Sequence, residues 1–175
     1  MTDFPFLLVL LLLPLIAGLG LLAVPKHRHD LIRRITLGVS LLVLVLTVLM
    51  TVAFEPSGPR FQFVQSYEWI PDFGVSFSLG VDGIALVMIL LIGVLVPAVI
   101  GASWNEGTDA GEKTGKTGSM RTFFAWLLVL EALLIGVFAA TDIFLFYVFF
   151  EAMLVPMYFL IGSFGGPRRQ YAAVK

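Results

Sequence analysis

The segment Ile143–Ser163 reads IFLFYVFFEAMLVPMYFLIGS and holds a single charged residue, Glu151. At about 1.5 Å per helical residue, a helix of this length crosses the hydrocarbon core of a bilayer, and Glu151 lies near its middle. A carboxylate at that depth costs about 2.5–3.5 kcal/mol on insertion scales. A membrane helix that keeps such a group favours a role for Glu151 in handling ions or protons.

The rest of the chain has the same apolar character. Its residues are 59% hydrophobic and 13% charged, and the mean hydropathy is +0.99. Soluble domains average about 25% charged residues, so we predict an all-α integral membrane protein that forms a single membrane domain over residues 1–175. Five apolar runs define the predicted transmembrane helices: Phe4–Val24, Ile35–Phe54, Val81–Ser103, Thr122–Thr141 and Ile143–Ser163.

The start of the chain could be mistaken for a signal peptide. The residues before the first run include Asp3 and no basic residue, and no small-x-small cleavage site follows the run. The apolar stretch is also too long for a typical signal sequence, so we predict a retained transmembrane helix.

The basic residues are distributed very unevenly between the two sides of the predicted membrane domain. Arg60 is alone on one side, and the other ten lie on the opposite side. By the positive-inside rule, the N-terminus is outside, and the C-terminal end of the chain and the loop 104–121 are cytoplasmic. The ten basic residues on the predicted cytoplasmic side are Lys26, Arg28, Arg33, Arg34, Lys113, Lys116, Arg121, Arg168, Arg169 and Lys175.

The predicted outer loop 55–80 contains two stretches of alternating apolar and polar residues. These are Phe61–Gln65 and Val75–Leu79, and Pro71 and Gly74 lie between them. Alternation around a proline and glycine turn predicts a short β-hairpin on the outer membrane surface.

Several other function classes are disfavoured. Ala110–Thr117 fits a relaxed phosphate-loop pattern, but membrane spans on both sides leave no room for a nucleotide-binding fold. His27 and His29 could hold a metal weakly, and we interpret them as a solvated loop instead. The absence of cysteine excludes thiolate-bound metal and Fe–S centres on this chain, and the net charge of −1 gives no indication of a nucleic-acid partner.

Two carboxyl groups lie deep inside predicted spans, Glu131 and Glu151. Tyr147 and Tyr158 share the helical stripe of Glu151 and could hydrogen-bond to it directly or through water. The stripe of Glu131 contains no polar companion. For either glutamate, the alternative to a proton-relay role is a protonated side chain that makes an interhelical hydrogen bond. The sequence leaves open whether the two face each other.

Aspartates and prolines mark the ends and interruptions of the spans. Asp82 is predicted to cap the third span and Asp142 the fifth. Pro156, like Pro14 and Pro97, interrupts a span, and it frees the carbonyl of Ala152 beside Glu151. That carbonyl could admit water, or the proline could be a simple kink.

Two motifs carry a family resemblance. Leu79–Ile84 reads LGVDGI, and Phe146–Gly162 reads FYVFFEAMLVPMYFLIG. Together with the hairpin and the spacing, they resemble subunit M (chain 4) of the bacterial proton-pumping NADH–quinone oxidoreductase, respiratory complex I. The resemblance covers essentially the whole chain, and the second motif separates subunit M from its L and N relatives.

The resemblance implies an antiporter-like fold of inverted helical repeats with broken helices. It implies that Glu151 pairs with a lysine on a later helix and relays protons in the membrane, coupled to quinone reduction elsewhere. FMN, Fe–S clusters and quinone are expected on other subunits, with no cofactor or metal on this chain. The expected partners are the L-like and N-like subunits and the lipid bilayer of the bacterial inner membrane.

The chain departs from the family pattern at its end. It stops at Lys175, before a sixth span, and no predicted span contains lysine or arginine. We therefore expect an N-terminal portion of the family's fold. Two alternatives stay open: a subunit of a multisubunit cation/proton antiporter, and a structural membrane segment needed for assembly.

Overall fold

The structure is a computed structural model that describes residues 5–25, 28–104, 120–164 and 168–174. Over these ranges the chain is mainly helical, with one pair of strands between the second and third helices. The elements are α1 Phe6–Leu21, α2 His29–Ala53, β1 Gln62–Ile70, β2 Val75–Val81, α3 Gly83–Ala102, α4 Met120–Ala139, α5 Ile143–Phe164 and α6 Arg169–Val174.

Four of the helices, α2 to α5, are long and apolar enough to cross a membrane. The first helix is apolar but has 16 residues, fewer than the predicted run Phe4–Val24. At about 1.5 Å per residue it is about 24 Å long, which is less than a hydrocarbon core of about 30 Å. The structure therefore supports a helical membrane protein, and the five-span topology stays a prediction.

The second helix begins earlier than hydropathy indicates. It starts at His29 rather than Ile35, so Arg33 and Arg34 lie inside α2 and not in a loop. The contacts of the Arg33 side chain explain how α2 accommodates a charged residue at this position. Its Nε donates to the Trp104 carbonyl at 2.8 Å, and its guanidinium lies 5.4 Å from the Trp104 ring centroid. A charged residue whose groups are satisfied in this way can lie inside a helix, although it lies outside the apolar run that begins at Ile35.

The fourth helix is the centre of the bundle. It packs against α1, α2, α3 and α5 and is the most buried of the four candidate spans, whereas α5 is the least buried. Its contact with α1 is close: a Cβ added to Gly18 would lie 2.8 Å from the backbone oxygen of Ala125. A small residue at this crossing lets the two backbones approach, as is common between membrane helices.

The buried face of α2 carries three hydroxyl groups. Thr36, Ser40 and Thr47 are fully buried, and each hydroxyl donates to a backbone carbonyl three or four residues earlier in the helix. This internal bonding satisfies polar groups that could find no water in a bilayer. Thr47 also packs on α3, where its Oγ1 fills the space that a Cβ on Gly93 would need.

The strands β1 and β2 form an antiparallel hairpin. They are joined by a short 3₁₀ turn, Pro71–Phe73, and by Gly74, whose φ of +67° is easily adopted by glycine. The hairpin is fixed to α1, because the backbone N–H of Leu8 donates to the Gln65 side chain at 3.0 Å. Which side of the membrane it occupies stays a prediction.

The hairpin also contacts the turn between α4 and α5. The backbone N–H of Thr141 donates to the Ser78 carbonyl at 3.0 Å, and the hydroxyls of the same two residues are 2.6 Å apart. The phosphate-loop-like stretch Ala110–Thr117 and His27 lie outside the described residues.

Candidate functional site

Glu151 lies in the middle of α5 on the side that faces away from the bundle. The opposite side of α5 packs on α4, where three ring carbons of Phe149 lie 2.8–2.9 Å from the position of a Cβ on Gly136. Two residues along a helix correspond to a rotation of about 200°, so Glu151 points almost directly away from this contact. Its side chain is accordingly exposed on the surface of the chain.

The predicted neighbours of Glu151 on α5 are exposed with it. Tyr147 is 60% exposed and Tyr158 is 48% exposed. The stripe predicted from the sequence therefore lies on the surface of the described part of the chain. Pro156 lies within α5 and is buried, on a different side from Glu151. Entry of water beside Ala152 stays a prediction.

Glu131 is in the opposite situation. Its side chain is fully buried, and neither carboxyl oxygen has a hydrogen-bond partner among the described residues. The contact of Gly18 with Ala125 and Val129 defines the antiparallel register of α1 and α4. One turn further along both helices, Glu131 comes level with Pro14, which is buried in α1.

Pro14 changes the polarity of α1 at the level of Glu131. It has no N–H to donate to the carbonyl of Leu10, the group that would normally receive its helical hydrogen bond. Leu10 is fully buried as well. The unpartnered carboxyl group of Glu131 therefore lies at the level where a proline interrupts α1.

The structure does not bring Glu131 and Glu151 together. Glu131 lies inside the bundle, and Glu151 projects from the side of α5 that is turned away from α4. The question that the sequence left open is therefore answered: the two carboxyl groups do not face each other.

The two predicted aspartate caps are confirmed. Asp82 accepts from the backbone N–H of Ala85 at 2.8 Å at the start of α3. Asp142 accepts from the N–H groups of Phe144 and Leu145 at 2.9 and 3.2 Å at the start of α5. Both are structural roles that satisfy unpaired helix N–H groups.

Sequence reasoning missed the role of Arg121. Its guanidinium donates to the carbonyls of Leu22 and Val24, each at 3.0 Å, just beyond the C-terminal end of α1. The helix dipole favours a cation there. The sequence signal for this role is an arginine directly before an apolar run, which by itself indicates only the orientation of the span.

The sequence contains no thiolate ligand for an iron–sulfur cluster. Iron–sulfur clusters are held mainly by cysteine thiolates, and the sequence has no cysteine. In the four described ranges, no group of three or more His, Asp or Glu side chains could hold a metal ion. The donor chemistry present does not fit an Fe–S cluster.

Comparisons with known proteins point to one group of relatives, although no family model matches the chain. Over 196 aligned residues, the chain is 39% identical to NADH-quinone oxidoreductase subunit M of Mycobacterium tuberculosis, covering 100% of this chain and 35% of that protein. It is 35% identical over 176 residues to the chloroplastic NAD(P)H-quinone oxidoreductase chain 4 of Chara vulgaris, covering 100% of this chain and 34% of that one.

The fold gives the same result. A chain of respiratory complex I from Thermus thermophilus, solved with bound NADH, superposes with a TM-score of 0.75 and 27% identity, over 95% of this chain and 31% of that one. The chain spans about a third of the length of the curated relatives it matches. By sequence, the chain is therefore a relative, along its whole length, of the subunit M (chain 4) proteins of NADH-quinone oxidoreductases, and by fold it is similar to a chain of respiratory complex I.

Proposed function

We propose that this chain is part of a membrane-arm subunit of an NADH-quinone oxidoreductase and that it contributes to proton translocation coupled to quinone reduction. The observation that carries the proposal is the position of Glu151: a carboxyl in the middle of an apolar helix, on a face that the described residues leave uncovered. The class of complex is that to which the relatives belong.

Placement explains why Glu151, rather than Glu131, is the better relay candidate. A relay group must exchange protons with a neighbour, and Glu151 is directed outward with Tyr147 and Tyr158 on the same stripe. A cation on a helix packed over this face would stabilise the carboxylate there. No lysine or arginine of this sequence lies within α5, so that cation belongs to a segment other than α5.

The remaining features of the proposal follow the family resemblance. The protein crosses a bacterial inner membrane with the N-terminus and the hairpin outside, α1 being the first of five spans. Its neighbours are L-like and N-like membrane-arm subunits, and FMN, Fe–S clusters and quinone bind to other subunits.

The test is Glu151→Gln in the complete subunit within the assembled complex. Glutamine has nearly the same shape and cannot take up or release a proton, so NADH-driven proton translocation in sealed vesicles should fall about tenfold or more while assembly is retained. The matched control is Glu68→Gln, since Glu68 is an exposed carboxyl on β1 outside the apolar spans. The control should pump at the wild-type rate.

The alternatives predict different results. If the chain serves only assembly, Glu151→Gln pumps normally, which contradicts the proposal. If the chain belongs to a cation/proton antiporter, it co-purifies with membrane subunits alone; co-purification with flavin and Fe–S subunits supports the oxidoreductase.

A further inference from the structure

The residues at the start of α2 form a basic depression. It is separate from the face of α5 that carries Glu151. Its volume is about 550 Å³, and three of its six lining residues are arginines. The lining residues are Arg28, His29, Asp30, Leu31, Arg33 and Arg34.

Two of these arginines have no internal role. Arg33 is occupied by Trp104 and by Asp30, whose Oδ1 lies 3.8 Å from Arg33 Nη1. Arg28 and Arg34 are exposed, and within the described ranges neither has a hydrogen-bond or ion-pair partner. The depression therefore presents two unpaired guanidinium groups, and its one acidic residue, Asp30, is beside the third.

The backbone adds to the positive potential. Arg28 is the N-cap residue of α2, and no side chain caps the helix there. The first N–H groups of a helix have no acceptor within the helix, and together with the helix dipole they favour an anion. Arginine forks and helix N–H groups are both well suited to phosphate oxygens.

An apolar stripe continues directly from the depression. Leu31 and Arg34 are exposed at its edge, and the same helical face continues through Gly38 to an exposed series of leucine and valine side chains. A Cβ added to Gly38 would meet nothing within 4 Å, so the stripe has a shallow notch at this position. The exposed apolar residues above the notch are Leu41, Leu42, Val45, Val48, Leu49 and Val52.

We propose that the depression and the stripe bind one anionic phospholipid, with its phosphate held by Arg28, Arg34 and the first N–H groups of α2 and one acyl chain lying over Gly38. The apolar stripe favours a lipid over free phosphate, because contact with an apolar surface does not stabilise an inorganic anion. From Gly38 to Val45 the stripe is about 10 Å long, which is within the depth of one bilayer leaflet.

The test is native mass spectrometry of the full chain purified in mild detergent and titrated with phosphatidylglycerol or with zwitterionic phosphatidylcholine. Wild type should retain one phosphatidylglycerol and bind phosphatidylcholine more weakly. The double variant Arg28→Gln/Arg34→Gln should lose about 25-fold in affinity for phosphatidylglycerol, about fivefold for each arginine. Arg28→Lys/Arg34→Lys should retain most of the binding, since lysine keeps the charge.

The controls separate the headgroup from the acyl chain. Arg60→Gln removes an exposed arginine elsewhere on the chain and should leave retention unchanged. Gly38→Leu fills the notch and should weaken binding with every arginine in place. Equal retention by the glutamine double variant, equal binding of both lipids, or complete displacement by millimolar inorganic phosphate would each overturn the proposal.

Discussion

The ring of Phe149 lies against Gly136, and this contact sets the rotation of α5 on α4. A Cβ on Gly136 would be 2.8–2.9 Å from three ring carbons, including Cγ, so the ring could not avoid it by a small movement of its far edge. The contact buries Phe149 and leaves Glu151 on the opposite side of the helix.

We therefore expect Gly136→Ala to destabilise the α4–α5 pair. Overpacking a buried contact costs about 1–3 kcal/mol, which exceeds the helix-propensity gain of about 1 kcal/mol from replacing glycine. The midpoint of thermal unfolding, followed by circular dichroism in detergent, should fall. Gly101→Ala is the control, because a Cβ there would meet nothing within 4 Å; an equal effect at both positions would remove the steric explanation.

The first helix offers a matched pair of glycines. A Cβ on Gly18 would lie 2.8 Å from the Ala125 backbone oxygen, whereas one on Gly20 would meet nothing within 4 Å. Gly18→Ala should lower the thermal midpoint, since backbone must move to accommodate it. Gly20→Ala should leave the midpoint unchanged or raise it. A fall of the same size for Gly20→Ala would show that helix flexibility, not close approach, is what matters.

Burial of Glu131 without a partner should cost stability. A buried polar group that makes no hydrogen bond costs about 1–3 kcal/mol in proteins. We expect Glu131→Leu, which removes the carboxyl and keeps much of the volume, to raise the thermal midpoint. Glu131→Gln should reduce proton translocation less than Glu151→Gln does in the same vesicle assay. A midpoint lowered by Glu131→Leu would indicate that a bound water or a proton-mediated bond satisfies the group.

The cap at the start of α5 can be tested through Asp142. Its side chain accepts two backbone N–H groups of α5 and also lies 3.5 Å from the N–H of Ser76 in β2. Asp142→Ala should cost about 1 kcal/mol or slightly more, as for other N-caps, whereas Asp142→Asn should cost less. Asp72→Ala, at an exposed carboxyl in the hairpin turn, is the control for loss of negative charge. A thermal midpoint that is unchanged in Asp142→Ala would contradict the cap's importance.

The aspartate caps could be predicted from the sequence because they are local. Asp82 and Asp142 each lie directly before the first residue of a helix, and a cap needs nothing beyond its own first turn. The start of α2 could not be predicted in this way. Arg33 lies before the apolar run that begins at Ile35, and its partner Trp104 is 71 residues away in the chain, so only the fold shows that the helix already includes it.

The depths of the two glutamates could be predicted from the sequence, but the directions of their side chains could not. Depth in the membrane follows from counting residues, and both carboxyls could be assigned to the middle of a span. Their directions depend on Gly136, Phe149 and Gly18, where small residues let particular faces meet. A residue stripe predicts what shares a face, but the partner of that face is decided by packing between helices.

The hydrogen bonds between Ser78 and Thr141 connect the hairpin to the turn before α5. Thr141 lies in the turn that leads directly into α5, and the other strand of the hairpin is fixed to the start of α1 through Gln65 and Leu8. The hairpin is therefore bonded both to the start of α1 and to the turn before the helix that bears Glu151. A variant that removes the Thr141 or the Gln65 side chain would thus alter how the N-terminal ends of α1 and α5 are held together, at a distance from the Glu151 carboxyl itself.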